Sequence, residues 1–191
     1  MSKFRGKYRL KSNRWEYWDY KNPGAYFVTI CTKNRKHFFG EIDKGIMALT
    51  EIGAIAESEW KKTPEIRKDM NISLGEFVIM PDHMHGIIII GNNEFNTPEK
   101  TSNPGRDAMH SISTGVENKN DSQKRFGPQR KNLASIIRGY KSAVTIRSRK
   151  INPEFCWQSN YHDRVIRNYR EYNYIADYIF DNVRRWELNV S

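Results

Sequence analysis

Phe77-Val-Ile-Met-Pro-Asp-His-Met-His-Gly-Ile-Ile-Ile-Ile90 is the stretch on which the reading of this chain turns. Pro81-Asp82 supplies a turn, and the four isoleucines beyond it belong to a strand with little choice but burial. His83 and His85 stand at the mouth of that strand with one residue between them. Side chains two apart on a strand share a face and lie about 6.6 Å apart along the chain, so both imidazoles can reach one ion. Met84 points the other way and can enter the core. An isolated His-x-His rarely marks a metal site. Anchored on an apolar strand that holds both ligands rigidly, it becomes a candidate.

Ala25-Tyr-Phe-Val-Thr-Ile-Cys-Thr32 is a β-branched and aromatic run that reads as the first strand, opened by the turn residues Asn22-Pro23-Gly24. From Gly45 to Lys62 the residues Ile46, Leu49, Ile52, Ile55, Ala56 and Trp60 recur at helical spacing, and Thr63-Pro64 ends that helix. Ile72 to Ile79 is a second strand and Gly86 to Ile90 carries a third. Their short connection predicts an antiparallel hairpin in the middle of a sheet. Between about 91 and 130 the chain turns polar, a long insertion within the domain. Leu133 to Arg149 is a helix with Leu133, Ile136, Ile137, Tyr140 and Val144 on its buried stripe and Asn132 as N-cap. Phe155-Cys-Trp157 reads as a short strand, and a last helix runs from about Tyr169 to Trp186. The order of elements predicts an α+β, ferredoxin-like domain, an antiparallel sheet with helices packed on it, spanning residues 1–191 as one unit.

Thirty-two Lys and Arg against twenty-two Asp and Glu leave a net charge of +10, which suits a polyanionic partner. Lys124 to Lys150 holds nine basic residues and no acidic one. Lys124, Arg125, Arg130, Lys131, Arg138, Lys141 and Arg149 are therefore candidates for phosphate contact. Six more basic groups lie in the first fourteen residues, Lys3 to Lys11 alternating with Phe4, Gly6, Tyr8 and Leu10. Cys31 and Cys156 are far apart and form neither a disulfide framework nor a zinc knuckle. No run approaches the length of a membrane span, and no apolar segment follows the basic N-terminus. A cytoplasmic protein with no membrane partner is expected. His162 could be a metal ligand, a base reader or a structural histidine, the last being the commonest case. His37 and His110 lie in polar loops and receive no role.

Met80-Pro81-Asp82-His83-Met84-His85 followed by an aliphatic strand resembles the His-hydrophobic-His (HUH) motif of single-tyrosine transposases. Within that group the chain is most similar to the REP-associated tyrosine transposases. The strand Tyr26-Phe-Val-Thr-Ile with its basic Thr32-Lys-Asn-Arg-Lys36, Trp157-Gln158 and Tyr161-His-Asp-Arg-Val-Ile-Arg-Asn168 carry the likeness further, as does the closing helix. The resemblance implies a nucleophilic tyrosine on the last helix and a polar metal ligand one turn later. Ten tyrosines compete for the role. Tyr140 lies on an apolar stripe and reads as core. On the last helix Tyr172, Ile175, Ile179, Val183 and Trp186 make the buried stripe, leaving Tyr174, Tyr178, Asn182 and Arg185 on an adjacent one.

The family's Tyr-Ile-x-x-polar pattern falls on Tyr178-Ile-Phe-Asp-Asn182. It assigns Tyr178 as nucleophile and Asn182 as third ligand beside His83 and His85, with Asp181 as a competing oxygen donor. Relatives often have Asn-Pro where this chain has Asn182-Val183, which leaves the end of the helix open. The resemblance further implies Mg²⁺ or Mn²⁺, a single-stranded or hairpin DNA substrate and a 5′-phosphotyrosine intermediate, and it leaves room for a homodimer. Two other readings share these residues: a binding protein for DNA hairpins without catalysis, and an HUH replication or conjugation nicking enzyme. The short chain, with no helicase domain, argues against the second.

Overall fold

In the computed structural model, residues 18–97 and 130–188 are described, together with the paired backbone segments Lys3–Phe4 (β1) and Lys7–Tyr8 (β2). Lys124, Arg125, His110 and most of the polar insertion lie outside the described residues.

The centre of the structure is a four-stranded sheet built from β3 (Gly24–Cys31), β6 (Ile72–Met80), β7 (His83–Ile90) and β8 (His162–Ile166). Its order is β6-β7-β3-β8 and every neighbouring pair is antiparallel. With helix α1 (Glu51–Lys61) between β3 and β6, and α3 (Leu133–Ser148) between β7 and β8, this is the ferredoxin-like arrangement. The β6–β7 hairpin is present, but β6 forms one edge of the sheet and only β7 is central. Asn132 caps α3 and accepts from Ser135 N at 3.0 Å, within a reciprocal capping box. Among the described residues no helix is long and apolar enough to cross a membrane.

The period-two alternation of β7 divides the molecule. Met84, Ile88 and Ile90 face a large cluster with Tyr26, Val28, Trp60, Ile136 and Tyr140, beneath α1 and α3. Ile87 and Ile89 face a smaller cluster with Phe27, Ile175 and Ile179, beneath α4 (Tyr169–Phe180). Gly86 lies on the α1 side, where a Cβ would stand 2.5 Å from the indole of the fully buried Trp60. Gly86→Ala should therefore destabilise the fold by about 1–3 kcal/mol, the usual range for overpacking a close-packed core. Urea denaturation checks this, and an unchanged midpoint would mean that Trp60 can move aside freely.

Three elements differ from the sequence reading. The helix expected from Gly45 begins only at Glu51. Ahead of it, β4 (Gly40–Asp43) and β5 (Ile46–Leu49) form a hairpin closed by Lys44-Gly45, both at positive φ. That pair is a two-residue hairpin turn, and Ile46 and Leu49 are exposed strand residues whose spacing mimicked a helix face. Thr50 then caps α1 by accepting from Gly53 N at 3.1 Å. Helix α1 ends at Lys61, and Thr63-Pro64 opens one further turn, α2 (Thr63–Ile66).

The fourth strand is His162–Ile166, not Phe155–Trp157. Phe155 and Trp157 are buried as core aromatics, joined to the sheet by a single bridge between Thr32 and Trp157. An apolar triplet signalled burial, not pairing. The last helix is also broken. Asp181 ends α4, and α5 (Asn182–Leu188) follows it.

Candidate active-site cleft

Strand β7 brings His83 and His85 onto the face covered by α4, at the end of the smaller core cluster. Both are buried, and their Nε2 atoms stand 3.1 Å apart. Two ligands in neighbouring positions on an octahedral ion with bonds of ~2.1 Å would be ~3 Å apart, so the pair fits one cation. The opposite ring nitrogens are held by the protein. His83 Nδ1–H donates to Asp82 Oδ1 at 2.6 Å, and His85 Nδ1 lies 2.8 Å from Thr29 Oγ1. A ring whose Nδ1–H is donated in this way turns an Nε2 lone pair outward, the arrangement metal-binding histidines commonly use. Asp82 is in turn paired with Arg35, Nε to Oδ2 at 2.7 Å. Burial works to raise the Asp82 carboxyl, but its hydrogen bond to His83 and the charges of His83 and Arg35 prevail and hold it below the usual carboxylate range.

Burial, reinforced by the charges of His83 and Arg35, pushes His85 down to about 3. Its imidazole is neutral at physiological pH, with the lone pair available. The folded state then takes up this proton only near pH 3, whereas an unfolded histidine binds it near 6.5. The stability this supplies is complete above about pH 6.5 and is lost as pH falls toward 3, by at most about 1.4 kcal/mol per unit. Metal-free protein should therefore melt at progressively lower temperature between pH 7 and pH 4, and His85→Asn should flatten the dependence. Parallel curves for the two proteins would remove His85 as a source of the acid sensitivity.

Helix α4 supplies Tyr178, which is half-buried. Its hydroxyl stands 3.5 Å from His85 Nε2. Phe27 keeps the two rings in place, stacked on His85 at 5.3 Å and edge-on to Tyr178 at 6.2 Å. Past the break at Asp181, α5 contributes Asn182, buried, together with Arg185 and Trp186. These residues with Thr29, Arg35, His83 and His85 line a cleft of about 390 Å³. The Arg185 guanidinium lies 5.8 Å from the centre of the Tyr178 ring.

His83, His85, Tyr178 and Asn182, distant in sequence, thus meet in one cleft. Asp181 lines a neighbouring groove instead, paired with Arg185 at 3.7 Å. Tyr174 is 72% exposed on that groove. His162 is exposed on β8 and is not among the cleft residues. Among the described residues no group of three His, Cys, Asp or Glu side chains could hold a metal. The donor set of the cleft is two imidazoles and an amide.

The basic residues of the 130–150 segment do not line the cleft. Helix α3 packs on the opposite face of the sheet, with Arg138 and Arg149 exposed. Lys141 donates to Gln158 O at 2.7 Å and to Asn160 O at 2.9 Å, and burial lowers its pKa. Arg149 Nε donates to Phe155 O, and Lys131 pairs with Asp69 while its ammonium lies 4.3 Å from the Phe95 ring centre. Arg130 is exposed.

Arg35, Asp82, Thr29 and Trp186 were not singled out by the sequence as cleft residues. Asp82 had a signal, being the residue before His83. Helical spacing puts Trp186 on the buried stripe of a continuous helix, whereas after the break at Asp181 it lines the cleft, 5.8 Å from the His83 ring.

No protein-family model matches the chain. An uncharacterized protein of Haemophilus influenzae is 33% identical over 183 residues, covering 95% of this chain and 92% of that protein. Among solved structures, a REP-associated tyrosine transposase bound to a REP hairpin superposes with a TM-score of 0.56 at 18% identity, covering 92% of this chain and 74% of the other. The chain belongs to one family with the Haemophilus influenzae protein, and its fold is that of the REP-associated tyrosine transposases.

Proposed function

We propose that this chain is a transposase that cleaves and rejoins single-stranded DNA through a tyrosine, acting in the cytoplasm. The observation that carries the reading is the convergence of His83 Nε2, His85 Nε2 and the Tyr178 hydroxyl in one cleft. Tyr178 is the nucleophile. Its oxygen bonds to phosphorus as the bond to the 3′ oxygen breaks, giving a 5′-phosphotyrosine and a free 3′-hydroxyl. The phosphodiester energy is kept in the new ester, so a later 3′-hydroxyl can displace the tyrosine without ATP. A hydrolase would discard it.

His83, His85 and Asn182 would hold a divalent cation, Mg²⁺ or Mn²⁺. Such an ion neutralises charge on a non-bridging phosphate oxygen, which makes the phosphodiester a better electrophile. Asp82 and Thr29 fix the two ring orientations, and Phe27 excludes water from one side of the phenol. The hairpin bound by the structural neighbour suggests hairpin-forming repeats as the substrate class.

Incubating the protein with end-labelled single strands that carry hairpins, in Mn²⁺, tests the reading. A denaturation-resistant protein–DNA band is expected, and EDTA should abolish it. Tight hairpin binding with no such band under any metal would leave a binding protein in place of an enzyme.

A further inference from the structure

We infer that Arg35 grips the phosphate undergoing attack, a role that rests on the strand-cleaving reading above. Arg35 lines the same cleft as His83, His85, Tyr178 and Asn182. Its guanidinium is oriented from behind on two sides, Nε on Asp82 Oδ2 at 2.7 Å and Nη1 on Cys31 Sγ at 2.9 Å. No acceptor among the described residues takes Nη2, and the side chain is 49% exposed. A guanidinium anchored through Nε and Nη1 and with Nη2 left to donate is suited to a phosphate oxygen.

The backbone supports the same conclusion. Asn34 and Arg35 both adopt left-handed conformations, φ 56° and 55°, which cost non-glycine residues free energy and collect at functional sites. Buried Thr32 ties this turn to the histidine strand: its hydroxyl lies 2.7 Å from Lys36 O and 2.9 Å from Asp82 O. The chain is thus bent sharply at the one point that places Arg35 beside both Asp82 and the cleft. A cation needed only to neutralise Asp82 would not require an unengaged Nη2. In the associative phase of attack, negative charge on the non-bridging oxygens meets a donor already in position, so no reorganisation is needed.

The test uses the full-length protein, saturating Mn²⁺ and a hairpin-bearing strand, with single-turnover formation of the covalent adduct as readout. Arg35→Gln should slow the adduct about 100-fold, the usual loss for one positioned donor, while hairpin affinity and the Mn²⁺ concentration for half-maximal rate stay within about threefold. Arg35→Lys, which keeps the charge but not the fork, should recover part of the rate. A stereopure methylphosphonate at the cleaved position removes one non-bridging oxygen. One stereoisomer should slow the wild type as Arg35→Gln does and slow Arg35→Gln no further.

Thermal melting shows whether the variants are folded. If Arg35→Gln is unfolded, Arg35→Lys with the two stereoisomers decides in its place. Losses that multiply for both stereoisomers, or an Arg35→Gln defect that extra Mn²⁺ repairs, would overturn the inference and leave Arg35 a support for Asp82. A wild type that forms no adduct would overturn the strand-cleaving reading itself, and this inference with it.

Discussion

Tyr178→Phe should eliminate the covalent protein–DNA adduct while hairpin affinity and melting temperature hardly change. The substitution takes away one oxygen. The ring keeps its edge-on contact with Phe27 and its packing against His85, and among the described residues the hydroxyl gives up a long contact of 3.5 Å to His85 Nε2. Stability should therefore stay within about 0.5 kcal/mol of wild type. Removing a nucleophile costs at least about 10⁴-fold, and among the described residues no other tyrosine lines the cleft. Tyr174, one turn earlier, is 72% exposed and lines the adjoining groove, so Tyr174→Phe should cleave normally. Peptide mapping of the wild-type adduct is the decisive measurement. DNA found on Tyr174 or Tyr169 would reassign the nucleophile.

His83→Ala and His85→Ala should each lower adduct formation by about 10³-fold or more, because each removes half of the imidazole pair and Lewis-acid activation is worth several kcal/mol. Hairpin binding should survive, since neither ring reaches the outer surface. Asp82→Asn should be milder, about 10- to 100-fold, because it removes no ligand and acts through the orientation of His83 and of Arg35. Added Mn²⁺ should partly restore Asp82→Asn and should not restore the double histidine variant. Adduct formation by that double variant in Mn²⁺ would place metal binding elsewhere.

Much of this was legible in the sequence because it depends on parity and local chemistry. Ile87 to Ile90 required a buried strand, and period two then set His83 and His85 on the face opposite Met84. Asn132 announced a helix start, and the structure has the cap. What was lost had other causes. Lys44-Gly45 makes a hairpin turn within a stretch whose apolar spacing imitates a helix, and a lysine at positive φ has no composition signature. Strand β8 hides because it opens on polar and charged residues, His162, Asp163 and Arg164, with only Val165 and Ile166 buried. Arg35 belongs to the basic run Thr32–Lys36 that carries the resemblance, but nothing in the sequence puts it in the cleft. Its place in the cleft follows from two left-handed residues and a tertiary contact to Asp82 across 47 positions of chain, which no periodicity encodes.

The two-sidedness of β7 also protects the chain against misassembly. Slipping β7 by one residue against β3 would turn both imidazoles toward the indole of Trp60 and lay the Met84 thioether in the cleft. The large core would then enclose two polar rings cut off from Asp82 and Thr29, each an unsatisfied group in an apolar setting. The same histidines that equip the cleft therefore penalise every odd-numbered misalignment of the central pair. Proofreading of strand register is built into the chemistry of the site, and a variant that replaced both by aliphatic residues would gain a cheaper wrong sheet along with a cleft stripped of its imidazoles.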